Sequence, residues 1–184
     1  QLILGDIVKD GSRAGEIISR TRALIGKVPP RRDALEVNET IREVLELTRG
    51  ETTKNNVLVL TEFGERLPAI RGDRVELQQV VLNLIVNAIE AMDAVSGGSR
   101  QLMITTATVD AGVLVSVQDA GPGLPSLAVD DLFAAFYTTK QRGLGLGLSI
   151  CRSIVEGHGG QLTARQGLRG GAVFEFTIPA AGTD

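Results

Sequence analysis

VVLNLIVNAIEAM, residues 80–92, is apolar at Val80, Val81, Leu84, Ile85, Ala88 and Ile89, the spacing of a helix whose apolar face is too wide for a surface position. Asp73, with Glu76 three residues on, supplies a start of the capping-box kind, and Leu77 carries the face back toward it. Inside this stretch stand Asn83 and Asn87, four apart and therefore on one side of the helix. Amides beside a core face cost free energy unless something satisfies them. A magnesium ion holding nucleotide phosphates would do so, because it takes one or two protein oxygens and keeps several waters. A structural hydrogen bond, or a place on the helix surface, would do so equally.

Downstream, Gly97, Gly98 and Ser99 break the chain, and residues 101–109 and 113–118 read as strands joined by a hairpin turn at Asp110, Ala111 and Gly112, with Val113, Val115 and Val117 on one face. Asp119, Gly121 and Gly123 come directly off that second strand, with Pro122 between the glycines. A carboxylate at a strand end can accept from an exocyclic amine, and glycines let a planar base approach the backbone; a plain tight turn produces the same pattern. From Gly121 to about Gly147 the chain is loop-like, and a loop of that length inside a domain is usually functional. Gly143, Gly145 and Gly147 alternate there with Leu144, Leu146 and Leu148, just before a helix marked by Ile150, Cys151, Ile154 and Val155. Open backbone amides at a helix start make an anion site, with Lys140 and Arg142 adding positive charge nearby; a hinge loop is the alternative. The spacing is neither that of the P-loop nor that of the dinucleotide fingerprint. Cys151 falls on the apolar side of its helix, and His158 falls where that helix ends, as a cap or dipole partner. Strands near 161–166 and 172–178 close the chain, with Phe174, Phe176 and Ile178 on one side and Pro179 at the end.

Upstream, Asn38 is expected to cap a helix carrying Ile41, Val44, Leu45 and Thr48, and Val57–Phe63 reads as a strand. Residues 1–28 place Ile3, Ile7, Ala14, Ile17, Leu24 and Val28 on alternating steps of four and three interrupted only by Asp10 and Thr21, the seam of a bundle helix, and Ile18 and Ile25 widen it toward a four-helix arrangement that needs partner helices. Packing against its own body is the alternative. Pro29 and Pro30 end the helix, and residues 29–33 read as a hinge. Helices grouped with hairpin-linked strands predict a two-layer α+β sandwich over residues 34–180.

Composition bounds the chemistry. With one cysteine and one histidine in 184 residues, neither an internal disulfide nor a cysteine- or imidazole-built metal site is available. The net charge of -3 divides into +4 over residues 1–32 and -7 over the rest, and aromatics are only 3%, which disfavours nucleic acid as a partner. No apolar run has the length of a membrane span, roughly 18 residues. Opening on Gln1, the chain reads as a soluble, cytoplasmic fragment whose parent could be membrane-anchored further upstream.

Taken in order, these pieces closely resemble the catalytic ATP-binding domain of bacterial sensor histidine kinases, in the GHKL superfamily with gyrase and mismatch-repair ATPases. Residues 80–92 look like that family's N box, DAGPG (119–123) like its first glycine box, FAAFYTTK (133–140) like its F box, GLGLGL (143–148) like its second glycine box, and GAVFEFTIP (171–179) like its closing strand. Ala135 stands where a proline is common, and Ala172 where a threonine often follows the last glycine. The resemblance implies a mixed, mostly antiparallel sheet with helices on one face. It implies ATP and Mg2+ as ligands, with Asn87 holding the metal, Asn83 its phosphate-side neighbour, and Asp119 reading adenine beside Gly121 and Gly123. Lys140, Gly143, Gly145, Leu146 and Gly147 become the lid's phosphate contacts, and Asn83 and Lys140 the catalytic pair. RAGEIISRTRAL, residues 13–24, looks like the second helix of the kinases' dimerisation domain, implying a homodimer through that helix and a response-regulator receiver domain as partner. The first helix, which carries the phosphorylated histidine, is not in this sequence. Hydrolytic members place a glutamate where Asn83 stands, so phosphoryl transfer to histidine is expected over hydrolysis; an ATPase, a serine kinase or a non-catalytic nucleotide-binding scaffold are the rival readings.

Overall fold

In the computed structural model, which describes residues 32–93, 99–110, 112–125, 129–138, 145–168 and 170–182, the core is built by cross-strand register. Strand β5 (Gly112–Gln118) sets Val113, Val115 and Val117 opposite Ile178, Phe176 and Phe174 of β7 (Ala172–Pro179). Beyond β7, β6 (Gln161–Gln166) brings Leu162 and Ala164 against Phe176 and Phe174. On the other side of β5, β4 (Gln101–Val109) brings Ile104 and Thr106 against Val117 and Val115. All of these side chains are buried. Because strand side chains alternate with period two, fixing one pair on the inner face fixes the whole ladder.

Strand β2 (Leu58–Phe63) adds to β4 in parallel, giving the order β2-β4-β5-β7-β6. A parallel neighbour needs a long crossover, and it contains helix α2 (Arg74–Asp93). Helix α2 packs between α1 (Val37–Lys54) and α3 (Gly147–Gly157), and the three cover the one buried face of the sheet. The two-layer α+β sandwich expected from the sequence is therefore the fold. Asp73 caps α2 as anticipated, Oδ1 accepting from the N–H groups of Val75 at 2.9 Å and Glu76 at 3.2 Å. Against the expectation that no apolar run reaches the length of a membrane span, α2 alone among the described residues is long and apolar enough to cross a bilayer, yet half of its apolar window is buried inside the domain, as in a core helix.

Three local expectations change. Asn38 does not cap α1; it lies in the first turn, donates Nδ2 to the Gly64 carbonyl at 2.9 Å and accepts from Thr106 Oγ1 at 2.8 Å, while Glu36 occupies the cap position without a side-chain bond. Tertiary partners outcompeted the local cap. Asp33, assigned to the hinge, instead starts β1 (Asp33–Leu35), which pairs antiparallel with β3 (Ile70–Gly72), Asp33 opposite Gly72. Arg32 is also bound to the domain, its guanidinium donating to the Gly157 carbonyl. Finally, the loop after β5 contains a 3₁₀ helix at Val129–Phe133 that buries Leu132 and Phe133. The bundle helix proposed for residues 1–28 lies outside the described residues.

His158, just past α3, is 6% exposed. Its Nε2 accepts from the Asp73 N–H at 3.0 Å, so Nδ1 is the donor to the Ile154 carbonyl at 2.8 Å. One ring thereby joins the end of α3 to the start of α2. His158→Ala would take the imidazole acceptor from the buried Asp73 N–H and open a cavity, although the Ile154 carbonyl keeps the backbone N–H of residue 158, and should lower unfolding free energy by about 2–4 kcal/mol, read from the denaturant midpoint at unchanged slope.

Candidate functional site

Asn83, Asn87 and Ala91 recur every fourth residue of α2 and line one side of it over about 12 Å. One end of the stripe meets α3. Asn83, 8% exposed, donates Nδ2 to Cys151 Sγ at 3.7 Å, and the thiol donates to the Val80 carbonyl at 3.8 Å. Burial pushes the Cys151 thiol up to about 12, desolvation outweighing the Asn83 hydrogen bond, so it stays protonated and is a core group, as its position on the helix suggested. The other end meets the loop after β5, where a Cβ on Gly121 would lie 3.2 Å from that of Ala91. Asn87 stands between the two ends, half-buried.

Asp119 closes the second end. It is 4% exposed, and its Oδ1 accepts from the N–H groups of Gly121 at 2.8 Å and Ala172 at 3.2 Å, while its own N–H donates to the Ala172 carbonyl at 3.0 Å. No donor among the described residues meets Oδ2. Desolvation raises the carboxyl above its ordinary range, opposed by the two backbone hydrogen bonds. One oxygen thus fixes the group, and the other is left to gain from an incoming N–H donor.

Two glycines make this possible by close approach. Gly171 has φ +75°, and a Cβ there would fall 1.9 Å from the Asp119 carbonyl oxygen. Gly123, at φ +87°, would drive one to 2.1 Å from Gln166 Nε2. Gln166, at the end of β6, accepts from the Leu124 N–H at 2.8 Å and so holds the glycine turn in place. Sequence reading missed Gln166, because nothing near it in the chain announces a contact with a turn that precedes it by a helix and a long loop.

At the start of α3 the two described glycines differ. Gly145, at φ +66°, is packed: its carbonyl accepts from the Phe136 N–H at 2.9 Å, and a Cβ would lie 2.5 Å from the Tyr137 carbonyl oxygen. Among the described residues nothing comes within 4 Å of a would-be Cβ on Gly147, which opens the turn whose N–H groups lack intrahelical partners. Leu146, buried, precedes it at the cap position. Arg152 ties the 3₁₀ helix to α3, meeting Asp130 at 3.2 Å and lying 5.3 Å from the Phe133 ring centre. Lys140 and Gly143 lie outside the described residues.

Among the described residues no group of three or more His, Cys, Asp and Glu side chains could hold a metal alone. A cation at Asn87 would have to arrive with ligands of its own, which is how magnesium comes bound to phosphates.

Residues 72–182 match the model of the histidine kinase-, DNA gyrase B-, and HSP90-like ATPase family. The chain belongs to that family. As a member it carries an ATP-binding domain, and its sandwich is the GHKL fold. The sensor histidine kinase TmoS of Ectopseudomonas mendocina is 38% identical over 97% of this chain, which spans only 18% of TmoS. The catalytic domain of the histidine kinase ThkA superposes with a TM-score of 0.72 at 38% identity, over 80% of this chain and 95% of that one. ThkA has also been solved with the response regulator TrrA, matching 95% of this chain and 49% of that chain at 33% identity and a TM-score of 0.75. Full-length ShkA in complex with AMPPNP matches 94% of this chain and 38% of its own at 25% identity and a TM-score of 0.75.

Proposed function

We propose that this chain is the catalytic part of a cytoplasmic two-component sensor kinase, binding Mg-ATP and passing the γ-phosphoryl group to a histidine for relay to an aspartate of a response-regulator receiver domain. The observation that carries the reading is the α2 stripe, with a half-satisfied buried carboxylate at one end, an open helix start at the other and two amides between. Asp119 receives the exocyclic amine of adenine on Oδ2, and Gly121 and Gly123 admit the ring. The open turn at Gly147 receives phosphate oxygens, where backbone N–H groups and the helix dipole favour negative charge; Lys140 and Gly143 extend this contact. Asn87 and Asn83 supply neutral amide oxygens to the phosphate end.

The residues fit magnesium, which when bound neutralises charge on the transferring phosphoryl group. Asn83 cannot act as a base, since an amide does not take a proton from water near neutral pH. Transfer to an acceptor brought in line is then favoured over hydrolysis, and the protein's part is positioning and electrostatics. Residues 1–28 pair with the same helix of a second chain, beside the separate helix that bears the acceptor histidine. The similarity to TmoS, and to ThkA with its response regulator, supports this reading.

Asn87→Ala tests it directly. In magnesium, ATP affinity should fall about 10- to 100-fold, while affinity in excess chelator and the melting temperature stay at wild-type values. Titration calorimetry under both conditions is the measurement, and a mutant that keeps the full magnesium dependence would remove Asn87 from the site.

A further inference from the structure

We infer that Cys151 is a positioning residue of the phosphoryl-transfer site, its thiol orienting the Asn83 amide. The inference rests on the function proposed above. Asn83 sits among Val80, Leu84 and Ile85, all buried, where an unsatisfied amide would be costly and free rotation of its planar head would leave the oxygen undirected. Cys151 answers both problems from the neighbouring helix. Its sulfur accepts the Asn83 Nδ2 proton at 3.7 Å while its own S–H is committed to the Val80 carbonyl at 3.8 Å, one turn before Asn83. The thiol is thus held between donor and acceptor, and Nδ2 is held toward α3. A planar amide fixed by its nitrogen turns Oδ1 away from that anchor, and no donor among the described residues meets that oxygen.

Cys151 is fully buried and remains protonated, so it neither touches ATP nor attacks it. Its effect reaches the reaction only through Asn83. The α3 helix that carries it also begins at Gly147, so the same element supplies the open N-terminal turn and sets the amide of α2. Losing the thiol should therefore loosen the Asn83 amide while leaving Asp119, Asn87 and the Gly147 turn as they are.

Two variants separate orientation from packing. Cys151→Val keeps a buried side chain of similar size and removes both hydrogen-bonding roles, whereas Cys151→Ser keeps both roles. The first readout, on the full 184-residue chain, is NMR of the Asn83 side-chain amide after selective ¹⁵N-asparagine labelling. Its two protons should exchange slowly in the wild type and in Cys151→Ser, and should shift and exchange faster in Cys151→Val. The second is phosphoryl transfer to an added dimeric helix pair bearing an acceptor histidine. Cys151→Val should lower kcat about tenfold with KM for ATP unchanged, and Cys151→Ser should recover most of it. An Asn83 amide indifferent to Cys151→Val, or equal kcat in the wild type and both variants, would overturn the inference while leaving the kinase reading intact. A parallel loss of kcat and melting temperature in both variants would reduce Cys151 to packing and overturn it as well. Absence of any transfer by the wild type would overturn the kinase reading and this inference with it.

Discussion

Asp119→Asn will weaken ATP binding by roughly 10- to 150-fold, the equivalent of one charge-assisted hydrogen bond worth about 1.5–3 kcal/mol, and will leave the domain folded. The two effects separate because the two oxygens have separate tasks. Oδ1 is held by the Gly121 and Ala172 N–H groups, an acceptor role that the amide oxygen of asparagine can fill, whereas Oδ2 meets no donor among the described residues and is the oxygen proposed to face the ligand. An Nδ2 in its place would face the exocyclic amine of adenine donor to donor. The pH dependence of stability follows from the raised carboxyl. Between its unfolded value and the higher folded one, the native state binds more protons than the unfolded state, so this group's contribution is present at low pH and is lost as pH rises through the folded value. Above the folded value the ionised, desolvated carboxylate therefore costs stability, and there Asp119→Asn should melt at or slightly above the wild-type temperature. Calorimetric titration with ATP and GTP, beside thermal melts at acid and neutral pH, measures both. An unchanged ATP affinity in the mutant, or equal wild-type affinity for the two bases, would remove Asp119 from the base site.

What could be read from the sequence, and what could not, divides by the range of the interaction. The long apolar stripe of α2 and the alternation of Val113, Val115 and Val117 against Phe174, Phe176 and Ile178 are local periodicities, and they appear in the structure in that register. Strands β1 and β3 have three residues each, too few to display a period, and what pairs them is tertiary. Asn38 had the chemistry of a cap at the place where one was expected, but the Gly64 carbonyl and Thr106 hydroxyl, distant in sequence, offered it better partners. Likewise the parallel seat of β2 beside β4 follows from where α2 docks, which the sequence of β2 alone does not encode.

The candidate site divides along the same line. Asn83, Asn87, Asp119, Gly121, Gly123 and Gly147 were legible because polar or glycine residues interrupt strong apolar patterns there. Gln166 and Cys151 were not, since each acts on a residue from another element. Gly145 was read as a phosphate contact, and the structure gives its conformation a second cause, the close passage of Phe136 and Tyr137. An alternating glycine motif can therefore combine residues that let the chain fold with residues that leave room for a ligand.

The largest effect expected is all-or-none. Residues 1–184 given Mg-ATP will bind it without labelling themselves on histidine, and an added dimeric helix pair bearing an acceptor histidine will become labelled. The sequence holds one histidine, His158, and its ring cannot serve as acceptor: it is 6% exposed, Nε2 is occupied by the Asp73 N–H and Nδ1 by the Ile154 carbonyl. Phosphorylating either nitrogen would require breaking the junction between the end of α3 and the start of α2, the helices that carry Gly147 and Asn83. An outside imidazole has no such conflict and needs only to reach the γ-phosphate in line, the geometry on which a loose transition state depends. The assay is radiolabelled ATP with the chain alone and then with the added helices, followed by acid and base treatment to distinguish phosphohistidine from phosphoserine. Acid-labile, base-stable label confined to the added helices is the expected result. Acid-stable label on the chain itself would instead make it a serine kinase, steady release of free phosphate an ATPase, and no label on either component a nucleotide-binding scaffold.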